Sequence, residues 1–238
     1  LTLEEKPDRH LIKQSFAMLK SRQGRNDMKA IGINGSHRKG KNTAILLNAV
    51  LEELAKNGVE TKLLELVDFR IEHCKACNKC LFEPKCSIDD DDMSVLAEEM
   101  LSSDVIIIGS PVYNGNVTSR LKTFMDRTRW MHMKKDLLHG KLGAVVTVAG
   151  LRNGGQELTH TIIERFFQSR SMRVVHVRDP ESGIYNMGVM ATLYDHLEGF
   201  PDAPSIKWKK SVLEDALALT NCCHLARNIL RELSSRAK

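Results

Sequence analysis

The sequence predicts an α/β fold, a five-stranded parallel sheet in the order 2-1-3-4-5 with helices on both faces. Three observations lead there. From residue 29 onward, short apolar runs alternate with stretches of helical periodicity, the pattern of a parallel sheet covered by its own crossovers. The run VIIIGS at 105–110 is almost wholly apolar and β-branched, as a strand buried on both faces must be. The chain is 238 residues long with 42% apolar and 27% charged residues, which is enough to bury one large α/β core.

The first strand is KAIGIN at 29–34, followed by a helix from Thr43 to Lys56 with Ile45, Leu46, Ala49, Val50 and Leu54 on its inner side. TKLLELV at 61–67 is the second strand and 92–101 a short helix. VIIIGS is the third strand, with a helix over 118–129 behind it. GAVVTVAG at 143–150 is the fourth strand, 156–169 its helix and MRVVHV at 172–177 the fifth strand. Residues 179–204, rich in Gly, Pro and Asp, read as a long loop, and a last helix runs over about 206–235. In front of this unit (28–238), residues 1–27 form a helical extension with Leu11, Ile12, Phe16 and Leu19 at helical spacing.

Composition excludes some functions. No apolar run approaches the roughly 18 residues of a membrane span, and LTLEEKPDRH lacks a secretory core. A cytoplasmic setting is therefore expected, in which six cysteines point to metal or redox chemistry before disulfides. The net charge of +5 is spread along the chain and aromatics are only 5%, which argues against nucleic acid and suits an acidic partner or an anionic cofactor.

In a sheet of this kind, ligands lie beyond the carboxyl ends of the strands. Asn34 to Thr43, NGSHRKGKNT, leaves the first strand and opens a helix. Gly35 and Gly40 let the backbone turn, Ser36, Asn42 and Thr43 offer donors, and Arg38, Lys39 and Lys41 add positive charge. With the helix amides this suits a phosphate monoester. The loop is not Walker A, because Lys41 is followed by Asn42. After the third strand, Pro111, Val112, Tyr113, Asn114, Gly115 and Asn116 form a loop suited to a flat isoalloxazine ring, with an aromatic face and free backbone. After the fourth, Gly150, Gly154, Gly155 and Gln156 bring amides to the ring's carbonyl edge, and Arg152 is placed to stabilise negative charge on a reduced flavin. The bland reading of each loop is a solvated turn.

Cys74, Cys77, Cys80 and Cys86, inserted at about 73–90, follow C-x2-C-x2-C-x5-C. Three cysteines at that spacing wrap three corners of a cubane, and the fourth is near, so a [4Fe–4S] cluster is the first reading. A zinc site, which usually takes two separated pairs, and bare thiols remain open. Cys222 and Cys223 lie in the apolar last helix and read as structural.

These motifs, with SPVYNGNVTSRLKTFMDR and GLRNGGQE in the same order over 29–178, resemble the iron–sulfur flavoprotein family of the flavodoxin-like NAD(P)H-dependent FMN reductase superfamily. His37 stands where the family commonly has proline, and Lys41 is more basic than usual. The resemblance implies a flavodoxin-like fold, with FMN phosphate at 35–43, the ring at 111–117 and 150–156, and one cluster on the four cysteines. It also implies a homodimer or homotetramer passing electrons from ferredoxin or NAD(P)H to an acceptor. Two further readings stay open: a cluster-free NAD(P)H-dependent FMN or quinone reductase, and a zinc-stabilised, non-enzymatic flavin-binding module. A basic run of Arg120, Lys122, Arg127, Arg129, Lys134 and Lys135 is read either as a steering face for an acidic ferredoxin or as a solvated helix face. No nucleophile and base pair appears, so no acid–base catalyst is nominated.

Overall fold

The computed structural model describes residues 28–179, 181, 183, 185–194 and 211–236, so the predicted N-terminal helix lies outside the described residues. The elements are β1 (Lys29–Asn34), α1 (Asn42–Lys56), β2 (Glu60–Glu65), α2 (Met93–Ser102), β3 (Val105–Pro111), α3 (Ser119–Arg127), α4 (Trp130–Met133), β4 (Leu142–Leu151), α5 (Gln156–Gln168), β5 (Arg173–Val174), β6 (Val177–Arg178), β7 (Tyr185–Asn186), β8 (Val189–Tyr194) and α6 (Ala216–Arg236).

The main sheet has the expected order β2-β1-β3-β4-β5 and is flavodoxin-like. Its pairs are parallel, with Ile31 opposite Ile106 and Ile107 opposite Ala144. The period-two alternation of β3 divides the core. Val105 and Ile107 face α1 and α6, whereas Ile106 and Ile108 face the side covered by α2, α3 and α5. All four are fully buried, and each contributes about 1.5–3 kcal/mol by burial.

The fifth strand departs from expectation. Only Arg173 and Val174 pair with the start of β4, at Leu142 and Gly143. The chain then leaves the sheet, forms the antiparallel β6–β7 hairpin, and returns as β8, which continues along β4 from Val146↔Val189 to Leu151↔Tyr194. The predicted strand 172–177 is thus split, and the predicted loop 179–204 contains two strands. Turn residues around Asp179 masked the alternating run VMATLY that follows. The helix expected over 118–129 is α3, with the short α4 following beyond it, and the last helix starts at Ala216 after a short turn at Val212–Glu214.

The interrupting segment is bound to α5 and α6. His176 Nε2 lies 3.3 Å from Glu164, the Tyr185 hydroxyl 3.1 Å from His176 Nδ1, and Asn228 donates to the carbonyls of His176 and Arg178. His160 is fully buried against Gly188, where an added Cβ would stand 2.6 Å from the imidazole Nε2. Burial, opposed by Glu164, drives its pKa down to about 4.

Candidate functional site

The carboxyl ends of β1, β3 and β4 carry the three predicted loops, and the structure brings them together. The first is built by backbone closure. Gly35 N donates to the Gly109 carbonyl of β3 at 2.8 Å. A Cβ on Gly35 would lie 2.7 Å from Leu121 Cβ, so only glycine allows this approach. Ser36 N donates to Asn34 Oδ1, and Arg38 N donates to Ser36 Oγ. The buried Glu65, at the end of β2, receives Asn34 Nδ2 at 2.6 Å and Gly40 N at 3.0 Å. One carboxylate therefore holds both ends of the turn.

Among the described residues no side chain caps the N-terminus of α1, the arrangement in which helix amides can meet an anion. Arg38 and Lys41 are exposed there, whereas Lys39 pairs with Asp68 at 2.6 Å. Thr43 is buried, and Asn42 Oδ1 accepts from Val212 N at 3.4 Å, so part of the Asn42 carboxamide serves the last helix.

In the second loop, Tyr113 and Asn116 exchange both backbone hydrogen bonds (2.9 and 3.0 Å) around Asn114 and Gly115. Both central residues have positive φ, as a tight two-residue hairpin requires. Tyr113 stands exposed and stacks on His37 at 5.8 Å, joining the first two loops. Thr118 joins them again: its hydroxyl donates to the Gly35 carbonyl (2.5 Å) and accepts from Leu121 N at the start of α3. Pro111 closes β3, and Val112 N donates to Val148 O.

The third loop is shorter than expected, because β4 runs through Gly150 to Leu151. Gly155 has φ +96°, and a Cβ there would meet Gly115 Cα at 3.2 Å, so the second and third loops touch backbone to backbone. Arg152 and Gly154 are exposed. Gln156 is turned inward. Its Nε2 donates to the carbonyls of Leu151 and Ala191, and its Oε1 is buried without a hydrogen-bond partner.

The cysteine segment is different in kind. Between residues 70 and 92, the one regular element among the described residues is a single turn, Lys79–Leu81. Ala76 and Asn78, between the first three cysteines, adopt the left-handed region (φ 51° and 59°), which winds the chain tightly. Cys74, Cys77, Cys80 and Cys86 all line one cavity, together with Asp126, Arg127, Arg129 and Trp130. All four are free thiols. The Ser87 hydroxyl, 3.0 Å from Cys77 Sγ, and the Lys79 amide pull the Cys77 pKa down toward the metal-binding thiolate. Among the described residues, no three His, Cys, Asp or Glu side chains gather as around a single metal ion. The four cysteines instead share the lining of one cavity.

Most of the expected basic face is already engaged. Arg120 donates to the carbonyls of Leu66 and Phe69, Arg129 to Asn78 Oδ1, and Lys134 to the Phe82 carbonyl, while Lys122 pairs with Asp126. Arg127 is buried at 1% exposure. Three of these side chains, on Asn78, Phe82 and Asp91, bind the cysteine segment. Cys222 is buried, its thiol pushed up to about 12 by desolvation, in keeping with a structural role.

Residues 28–186 match the family pattern described as NADPH-dependent FMN reductase. Curated relatives include an iron–sulfur flavoprotein of Methanocaldococcus jannaschii, 43% identical over 162 residues (68% of this chain, 83% of that protein). Another, from Archaeoglobus fulgidus, is 37% identical over 205 residues (85% and 94%). The chain belongs to the iron–sulfur flavoprotein family, within the NADPH-dependent FMN reductases. It is an oxidoreductase of the flavoprotein class. Among solved structures, an NAD(P)H:quinone oxidoreductase from Methanothermobacter marburgensis superposes with TM-score 0.60 at 14% identity, over 85% of this chain and 96% of that one, a likeness of fold.

Sequence reasoning missed three residues of these sites: Glu65, Asp91 and, in its structural role, Arg127. The signal for Glu65 was faint, a lone carboxylate closing an otherwise apolar strand end. Asp91 was hidden in the run Asp89–Asp92, where four acids look equally solvated.

Proposed function

We propose that the protein carries FMN in the three loops and one [4Fe–4S] cluster on Cys74, Cys77, Cys80 and Cys86, and exchanges electrons between a one-electron partner and a two-electron partner. The observation that carries this reading is the placement of α3. Its N-terminus is fastened to the phosphate loop through Thr118, and its C-terminus, Asp126 and Arg127, lines the cysteine cavity. A nine-residue helix is about 13 Å long, so one short rigid element spans both sites.

The residues fit both groups. Backbone amides at the start of α1, with Ser36 and the exposed Arg38 and Lys41, receive the phosphate. The Tyr113–Asn116 turn and the Gly154–Gly155 backbone border the ring, and Arg152 offers positive charge beside it. Four thiols around one cavity suit a cubane better than the single ion of a zinc module. When bound, the flavin supplies one- and two-electron chemistry and the cluster single-electron steps; the chain supplies position and electrostatics.

NAD(P)H or a reduced ferredoxin is the proposed donor, a homodimer or homotetramer the assembly and the cytoplasm the site of action. No described helix is long and apolar enough to cross a membrane. Lys122 and Arg127 are paired with carboxylates, whereas Arg120, Arg129 and Lys134 bond neutral oxygens and keep their charge, so steering of an acidic ferredoxin is read out as a fall in transfer rate with ionic strength.

The test is purification without oxygen, followed by iron, acid-labile sulfide, zinc and FMN per chain. Four irons, four sulfides and one FMN support the proposal. FMN without iron, in protein never exposed to oxygen, overturns the cluster and leaves the FMN or quinone reductase reading.

A further inference from the structure

Arg127 ends α3 beneath the cysteine segment. Its Nη1 donates to the Glu72 carbonyl at 2.7 Å and to Asp91 Oδ2; its Nη2 donates to the Ile88 carbonyl at 3.1 Å and to Asp91 Oδ1 at 3.1 Å. Glu72 lies two residues before the first cysteine and Ile88 two residues after the last. One planar guanidinium therefore stitches together both ends of the four-cysteine segment, a span that the single nitrogen of a lysine cannot bridge. Burial opposes the arginine's charge, yet its paired hydrogen bonds with Asp91 hold its pKa above the usual value.

The third nitrogen, Nε, is buried and has no hydrogen-bond partner among the described residues. A buried N–H without an acceptor is unfavourable, and a sulfur lining the same cavity is a suitable acceptor for it. The guanidinium lines the same cavity as the four cysteines. We propose that Arg127 is a positioning residue with two roles: it clasps the cysteine segment shut, and its Nε–H is reserved for the sulfur at Cys86 once that sulfur serves as a ligand. This rests on reading the cysteines as cluster ligands. A hydrogen bond and a positive charge at a ligand sulfur stabilise the reduced, more negative state, so Arg127 raises the reduction potential of the group held there.

The experiment compares the full-length chain with Arg127→Lys and Arg127→Met, each reconstituted anaerobically with iron and sulfide. FMN per chain reports that the fold is intact. Iron and sulfide per chain, the midpoint potential followed by electron paramagnetic resonance, and alkylation rates of the thiols before reconstitution report on the site. Both variants are expected to alkylate at least tenfold faster at the cysteine segment. The Lys variant should still hold a cluster, at a potential more negative than wild type; the Met variant should lose most of its iron. Wild-type iron loading, potential and alkylation in both variants would overturn the proposal. Faster alkylation with an unshifted potential in the Lys variant would overturn the sulfur-donor role and leave the clasp. Should the wild-type chain itself take up no iron, the cofactor reading fails together with the sulfur-donor role, and alkylation alone decides the clasp.

Discussion

The phosphate loop and the cysteine segment are both irregular excursions at the same end of one sheet, but they are held in opposite ways. The phosphate loop is ten residues long and is closed at its own backbone groups: Gly35 N on the Gly109 carbonyl, Gly40 N on the Glu65 carboxylate, and the Thr118 hydroxyl on the Gly35 carbonyl. Those anchors belong to strands and helices that would exist without it, so the loop's shape follows from the fold. Among the described residues, the cysteine segment has no strand beside it and little apolar burial of its own, with Phe82 73% exposed. It depends on a few side chains reaching over from α3 and α4, chiefly the Arg127–Asp91 pair. A site made by backbone is complete before its ligand arrives. A segment tied mainly at its ends, by the Arg127–Asp91 pair and by Asp92 N on the Arg70 carbonyl, leaves four free thiols whose order a bound group would increase.

The hardest blow to that contrast is Asp91→Asn. It leaves the Arg127 charge buried without its counter-ion, and should cost roughly 3–5 kcal/mol. Thermal unfolding measures the loss, and limited proteolysis should show cleavage confined first to 72–91. Equal protection of this segment in the variant would remove the distinction between the two regions.

Acid separates the clasp from the rest of the domain. His160 is neutral in the fold, with its pKa lowered to about 4 by burial, against about 6.5 when unfolded. The unfolded chain binds the extra proton, so this stability is complete above pH 6.5 and is lost as pH falls toward 4, about 3 kcal/mol in all. For Asp91, burial works against the charge, but the Arg127 guanidinium and the Glu72 and Met93 amides outweigh it and lower its pKa. The clasp should therefore hold until pH drops below the ordinary carboxylate value of about 3.9. Denaturant titrations across pH 4–7 should show the slope, and His160→Gln should flatten it. A slope unchanged by that substitution would remove His160 as its source.

On the phosphate-loop side, Gly35→Ala drives a methyl group against Leu121 and should destabilise by about 1–3 kcal/mol while weakening FMN binding. Glu65→Gln keeps the shape but replaces one acceptor by a donor, so Asn34 and Gly40 cannot both be satisfied. A loss of about 1–2 kcal/mol is expected, with FMN affinity, read by fluorescence quenching, falling several-fold. The smallest effect belongs to Lys122→Ala, which removes an exposed pair with Asp126 and should cost less than about 0.5 kcal/mol.

Much of this arrangement was legible in the residues. Local periodicity placed β1 to β4 and their helices within a few positions, because each run carries its own burial pattern. The three site loops were legible because glycine, hydroxyl and turn residues cluster at strand ends, where few structural reasons demand them. The split fifth strand was not. VMATLY alternates like a strand, but its place beside β4 depends on pairing with residues some forty positions earlier. Nor was the engagement of the basic run, where six similar cations gave no sign that one is buried and others bind carbonyls.

By itself, then, the sequence determined the alternation of strands and helices, the three loops at the carboxyl ends of β1, β3 and β4 and the cysteine spacing. Each is written in residues near one another along the chain, where backbone geometry and side-chain chemistry act locally. Tertiary structure alone decided that Glu65 fastens Gly40, that β8 completes the fifth strand position and that Arg127 closes the cysteine segment. Those choices depend on desolvating a charge or pairing a strand edge with a distant partner, and only the assembled core sets which partner is within reach.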